Sequence, residues 1–325
     1  MQATTKELNA AAEQIGRKAK LRALGARLLP LAGLILLVVF FQITSGGKLL
    51  EPKNLKNLFN QGFALLLAAT AGVFVMATGN LDFSLGANLG FCGTVACFAA
   101  FVSPWLALPA AIAAGVCVGV VNGVAQVYFK LSSFIACLCM MFILTALNQT
   151  LTGGTSKMMP VSMMTSDSDL VKIVTILIYM AVMVVLFGYT KVGKQLKAMG
   201  ISEEACRQSG VRNNRMKILA YMITGAAAGI AGYFTLLRVG AAAPSMGQTT
   251  TTDVIIAVVL GGMTIAGGAT SKISAAVLGT AITVVLSSGI VLSGMGGDAQ
   301  QLIKGLIFIV VVAVSTRRDK NTIIQ

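Results

Sequence analysis

The sequence predicts an all-α fold, a polytopic transmembrane helical bundle of about ten membrane segments, some of them broken or re-entrant. Three observations carry this expectation. Hydrophobic residues make up 56% and charged residues 11% of 325 positions, against about 45–50% and about 25% in soluble domains. Apolar runs able to cross about 30 Å of hydrocarbon recur along the chain. Basic residues gather in alternate loops, which accounts for the net charge of +14 without nucleic acid.

Residues 1–27 are rich in Ala, Lys and Arg, with Leu8 and Ile15 at near-helical spacing, and are expected to lie as a cytoplasmic interfacial segment against anionic lipid. Residues 28–315 form the membrane domain and 316–325 a cytoplasmic tail. The first apolar run, 28–44, lacks a small-residue cleavage site and reads as a retained span. The others fall near 59–78, 84–102, 104–128, 134–151, 170–189, 216–238, 252–267, 273–293 and 299–315. With the N-terminus inside, the cytoplasmic loops collect most of the 25 basic residues, among them Lys130, Lys191, Lys194, Arg207, Arg212 and Arg317. The 11 acidic residues show no such bias.

Two stretches are too glycine-rich to be regular helix. One holds Gly79, Asp82, Ser84 and Gly86; the other holds Gly261, Gly262, Gly267 and Gly268. Irregular backbone survives at membrane depth only where protein or water satisfies it, so both are expected as turns packed inside the bundle. Asp82 reads as a turn or cap partner rather than a transport residue. Small residues four apart (Gly115, Gly119 and Gly123; Gly225 and Gly229; Gly86 and Gly90) allow close helix approach, within one subunit or between two. The six cysteines read as packing residues, without a disulfide or zinc pattern.

Enzyme chemistry finds little support. The chain has no histidine, no paired intramembrane carboxylates and no phosphate-binding loop, so ATP is not hydrolysed here. Metal and catalytic sites are expected to be absent. Intramembrane charge looks nearly absent too, with Asp82, Asp253 and Asp298 at segment ends, which favours an uncharged solute. What remains for a pathway is polar and neutral: Asn88, Asn122, Gln126, Thr145, Asn148 and Gln149. Asn122 and Gln126 share one helix face, Asn148 and Thr145 another. Such amides pair equally with hydroxyls of a neutral solute or with neighbouring helices, and both readings stay open.

Residues 190–215 form the major cytoplasmic loop. Within it, Ser202 can cap a short helix whose first turn carries Glu203 and Glu204, with Arg207, Ser209 and Gly210 at its end. A helix of about two turns is unstable alone, so something must hold it. The island resembles the loop that carries the coupling helix in permease subunits of ABC importers. Gly79-Asn80-Leu81-Asp82-Phe83-Ser84-Leu85-Gly86 is similar to the Gly-Gly-Ile-Asp-Leu-Ser-Val-Gly signature of ribose/xylose/galactose-type permeases, in the branched-chain amino acid/monosaccharide permease superfamily. Phe134 to Met140, ending at Leu151-Thr152-Gly153-Gly154, resembles the next block; Val259 to Gly268 and Gln300 to Gly305 resemble the last two. The chain departs from that pattern at Asn80, and at Cys137-Leu138-Cys139 followed by Thr145-Ala146, where relatives carry Thr-Leu-Gly and an Arg-Gly pair.

The resemblance implies a permease subunit of the bacterial cytoplasmic membrane, with both termini inside, importing a neutral monosaccharide. It implies a second permease subunit (a copy or a paralogue), an extracytoplasmic solute-binding protein, and a tandem-domain ATPase subunit that holds ATP and Mg. The island is where that ATPase would dock. Importers of nucleosides, autoinducer-type furanoses or branched-chain amino acids look similar. A stand-alone facilitator or ion-coupled carrier is the reading from a different class.

Overall fold

The computed structural model describes residues 30–166 and 168–320. The interfacial segment expected over 1–27 lies outside them. Twelve helices follow in order among the described residues: α1 (Pro30–Thr44), α2 (Pro52–Ala77), α3 (Leu85–Val102), α4 (Pro104–Tyr128), α5 (Ser133–Thr152), α6 (Asp169–Val184), α7 (Lys191–Ile201), α8 (Glu203–Gln208), α9 (Asn213–Val239), α10 (Thr250–Leu260), α11 (Ile273–Leu292) and α12 (Gly297–Lys320). Seven helices, with α6 counted through Tyr189, are long and apolar enough to cross a membrane. Helices α1, α10 and α12 stand where the other three segments were expected.

Local chemistry sets most boundaries. Pro52 and Pro104 begin α2 and α4, where a missing N–H costs nothing. Ser132 caps α5 by accepting from Ile135 N. Helix α2 starts earlier than the apolar run predicts, because its polar first turns are held from outside: Lys56 pairs with Asp169 at 2.8 Å, and Ser288 Oγ donates to Asn54. Helix α10 is shorter than expected, ending where the glycine-rich stretch begins. A two-residue antiparallel pairing, Lys157 with Ala242 and Met158 with Ala241, ties the loop after α5 to the loop after α9.

Helices α2, α3, α9 and α11 form the interior, with more than half of their most apolar window buried; α5 and α6 show only 22% and turn apolar faces such as Phe142, Ile143, Leu177 and Ile178 outward. That exterior suits lipid. Helix α9 crosses α4 with backbones nearly touching. A Cβ added at Gly115 would collide with the Gly225 carbonyl, and one at Gly225 with the Gly115 carbonyl. Gly119 meets Tyr221 in the same way, and Gly86 and Gly90 meet the segment at Met246 and Gly247. All three small-residue stripes therefore pack within the subunit. Of the cysteines, Cys92, Cys97, Cys137 and Cys206 are buried, and Cys117 and Cys139 are exposed.

The two glycine-rich breaks meet each other. Gly268 N donates to Ala77 O at 3.0 Å, capping the end of α2, and Gly79 lies against Ala266. Gly267 and Gly268 hold φ of +72° and +84°, a left-handed conformation that side chains resist. Gly225→Val should cost about 1–3 kcal/mol or more by overpacking the α4–α9 contact. It should lower the melting temperature of the purified protein, while Gly33→Val, where a Cβ meets nothing within 4 Å, should leave it unchanged.

Candidate functional site

Three groups of polar residues stand out, at two ends of the bundle and in its middle. The first is the island. Thr190 caps α7 by accepting from Val192 N, and Ser202 then caps α8 by accepting from Ala205 N at 3.2 Å. Glu203 and Glu204 occupy the first turn of α8, where the helix dipole favours them. Arg207 donates to Glu204 at 2.7 Å; this pair is well exposed, so it contributes only a few tenths of a kcal/mol to about 1. Glu203 is latched to α9 twice: its carboxylate pairs with Lys217 at 2.7 Å, and its carbonyl accepts from Asn213 Nδ2. Cys206 is the buried residue of α8, and the rest of the helix is exposed. Gly210 ends it at φ +81°, with Val211 N donating back to Cys206 O.

Helix α7 ties this island to the breaks. Its Gly200 lies where a Cβ would collide with the Ala77 carbonyl and with Gly268 N. Lys197, on the same helix, sits over the Phe187 ring at 4.4 Å. Partial burial there, and the nearby Lys272 charge, push its pKa below the usual lysine range.

The second group contains the amides expected to line a pathway. Asn88, Asn122, Gln126 and Asn148 are buried and bonded to neighbouring elements. Asn148 donates to Ala243 O at 3.1 Å and Pro244 O at 3.0 Å, and accepts from Thr94 Oγ1. Asn88 reaches Gly115 O. Gln126 Nε2 approaches Ser133 Oγ, which also meets Tyr221 Oη at 2.7 Å. Asp82 accepts from Ser84 N and Oγ, closing the turn before α3, and Ser84 Oγ accepts from Asn122 Nδ2 at 2.7 Å. Asn122 Oδ1 has no partner among the described residues. Thr145 bonds within its own helix, and Gln149 is exposed.

The third group was not expected from the sequence. A polar cavity of about 560 Å³ opens between α2, α9, α10, α11 and α12. Helix α2 gives it Asn57, Asn60 and Gln61, and α9 gives Thr235 and Arg238. Ser287 comes from α11, Asp253 from α10, and Gln300 and Lys304 from α12. Asp253 and Lys304 form an ion pair at 2.7 Å, with side chains only 21% and 6% exposed. Charge is thus buried in the bundle after all. The signal was available, since Lys304 is the only charge between Asp298 and Arg317. Asp253, by contrast, looks from sequence like a helix-end residue. Lys172, buried on α6, donates to Asn60 behind the cavity wall at 2.8 Å.

The cavity and the island lie at opposite ends. Lys217 meets α8, whereas Arg238 lines the cavity, about 30 Å away along α9 at about 1.5 Å per residue. Among the described residues no cluster of His, Cys, Asp or Glu suits a metal.

An apolar multi-pass bundle with a polar cleft toward one end and a capped, charged helix held out at the other defines a membrane transport subunit. The chain belongs to the family described as branched-chain amino acid transport system / permease component, whose model matches residues 54–312. It is 30% identical over 304 residues to the ribose import permease protein of Escherichia coli K12, covering 88% of this chain and 93% of that one. It is 27% identical to the ribose import permease protein of Bacillus subtilis 168, over 89% and 92%. It is 25% identical to the xylose transport system permease protein of Escherichia coli K12, over 90% and 92%. No solved structure matches the chain.

Asn148→Leu would strand the Thr94 hydroxyl and two carbonyls, at about 1–3 kcal/mol per buried group left unsatisfied. It should lower the melting temperature of the purified permease, while Gln149→Leu, one residue along on the exposed side, should not.

Proposed function

We propose that the chain is the membrane-spanning permease subunit of an ATP-driven ABC importer for a neutral monosaccharide. The solute class follows the names of its full-length relatives, which are import permeases for ribose and xylose. The solute arrives on an extracytoplasmic solute-binding protein. ATP and Mg act on a separate, tandem-domain ATPase subunit, and a second permease subunit, a copy or a paralogue, completes the membrane part. The protein lies in the bacterial cytoplasmic membrane with both termini and the α7–α8 loop inside, the orientation favoured by its basic loops.

The observation that carries the ATP-driven reading is the island Ser202–Gly210. It is a six-residue helix, too short to persist alone, yet it is capped at Ser202, latched through Glu203 to α9 and pinned by Cys206, with its remaining face left open. A facilitator that works alone has no use for such a presented helix. An ATPase subunit gripping it would move α7, and α7 leans on both breaks through Gly200. The buried amides Asn88, Asn122, Gln126 and Asn148 then serve transport by fixing the helices beside the path; Thr145 and Gln149 lie on its flank.

Reversing charge at Glu203 and Glu204 removes favourable dipole terms of about 0.3–1 kcal/mol each and unlatches Lys217. Adding Gly210→Val strains a left-handed backbone. The combined variant should insert and purify at parental yield, yet lose solute-stimulated ATPase and uptake, or release the ATPase subunit. Full coupled activity in the reconstituted complex would remove the basis for the docking role.

A further inference from the structure

We infer that the polar cavity between α2, α9, α10, α11 and α12 is the site that receives the solute, and that Asp253 and Lys304 are its principal anchors for a polyhydroxylated molecule; this rests on the importer reading above. A void left by imperfect packing in an apolar bundle is lined by apolar atoms and stays dry. This one is walled by a carboxylate, an ammonium, a guanidinium and amides. Such groups at membrane depth must face water or a polar ligand.

The hydrogen-bonding capacity left over defines the ligand. Asp253 uses Oδ1 on Lys304, and Oδ2 has no partner among the described residues. Lys304 spends one of three donors on that bond. The side chains of Arg238, Asn57 and Gln300 have no protein partner among the described residues either. One cleft therefore holds both unused donors and unused acceptors. A hydroxyl is both donor and acceptor, so adjacent hydroxyls of one molecule satisfy a neighbouring carboxylate and ammonium together. An aliphatic amino acid finds little apolar wall here for its side chain. The volume, about 560 Å³, falls within the range of about 300–1,000 Å³ usual for small-ligand clefts. Position fits the task as well. Asp253 rides on the first turn of α10, and the far end of α10 runs into the break that touches α7, so movement of the island reaches an anchor.

The test uses the intact permease in cells and the complete purified importer. Gln61→Cys and Gln300→Cys should react with a membrane-impermeant thiol reagent added outside, faster than the parent chain. At least one of D-ribose, D-xylose, D-galactose or D-fructose at high concentration should slow that reaction by about twofold or more, as half-occupancy of the site requires. L-Leucine should not. No reaction from outside, no protection by any of the four sugars, or protection by L-leucine alone would overturn the assignment. The double variant Asp253→Asn with Lys304→Gln keeps a hydrogen bond between the two positions while removing both charges. At parental yield it should raise the KM for the protecting sugar by about tenfold or more, the scale of one charged hydrogen bond. A merely structural pair would leave KM unchanged. Should the double variant fail to assemble, Gln300→Ala, which breaks no side-chain hydrogen bond among the described residues, should raise KM by a smaller factor, and an unchanged KM counts against the proposal. These readouts are independent of the ATPase: uncoupling at α8 can fail while protection succeeds, and the reverse.

Discussion

The structure turns on one constraint. Backbone groups freed where a helix breaks must find partners inside the protein, because hydrocarbon offers none. The chain breaks twice in its interior, after α2 and after α10, and it satisfies the two breaks against each other. Gly268 N supplies a donor to the Ala77 carbonyl that α2 leaves open, and Gly79 and Gly267 bring the strands of the two breaks close enough for it. The same junction admits Gly200 of α7 and nothing larger. A side chain at any of these positions would separate the breaks and leave amides stranded. The glycine clusters are thus what permits two helices to stop inside the bundle and a third, coming from the loop, to touch both stops.

The Asp253–Lys304 pair is the complementary cost. Bringing two charges into a low-dielectric bundle takes several kcal/mol per ion, and their attraction repays this only with good geometry and further hydrogen bonds. The geometry is good at 2.7 Å, yet the pair is not closed off: it forms part of a cavity wall with Arg238 beside it. A pair whose sole task was to hold α10 to α12 would be stabilised by excluding that space. An apolar contact of similar volume would also serve as well or better. Leaving the charges accessible fits polar groups that exchange partners, water for solute, during a working cycle.

Much of this architecture was legible in the residues. Apolar run length located the seven long apolar helices, proline and glycine located many of their ends, and the two glycine clusters marked the breaks. Ser202, Glu203, Glu204 and Gly210 outlined α8 because capping chemistry is local. Long-range facts were not legible. Helical periodicity shows that Asn122 and Gln126 share a face but not which neighbour that face meets. The amides at the middle of the spans turned out to be bonded to Ser84, Gly115 and the 243–244 carbonyls. The cavity draws instead on residues near helix ends, which a sequence reading assigns to caps and interfaces. Asn57 fell just before the span expected over 59–78, and Asn60 and Gln61 in its first turn; Asp169, Lys172 and Ser288 on other helices hold that polar stretch of α2.

Distance then sets what the island can do. It lies about 30 Å from the cavity along α9, far beyond the reach of the screened charges on α8. Any influence must be mechanical, through elements with two arrangements rather than through a field. Helix α9 is a poor carrier, since Gly225 and Gly229 are locked against the α4 carbonyls of Gly115 and Ala111, and Gly232 against the α3 carbonyl of Leu89, and none can slide without collision. The alternative route is short and loosely clamped: α7, the paired breaks, then α10, an eleven-residue helix with an irregular segment at each end. A short helix flanked by glycine-rich turns can tilt where a long clamped one cannot. Tilting α10 would move Asp253 relative to Lys304 on α12, altering the one ion pair in the cavity. The packing thus favours the broken helix, rather than the continuous one, as the moving part.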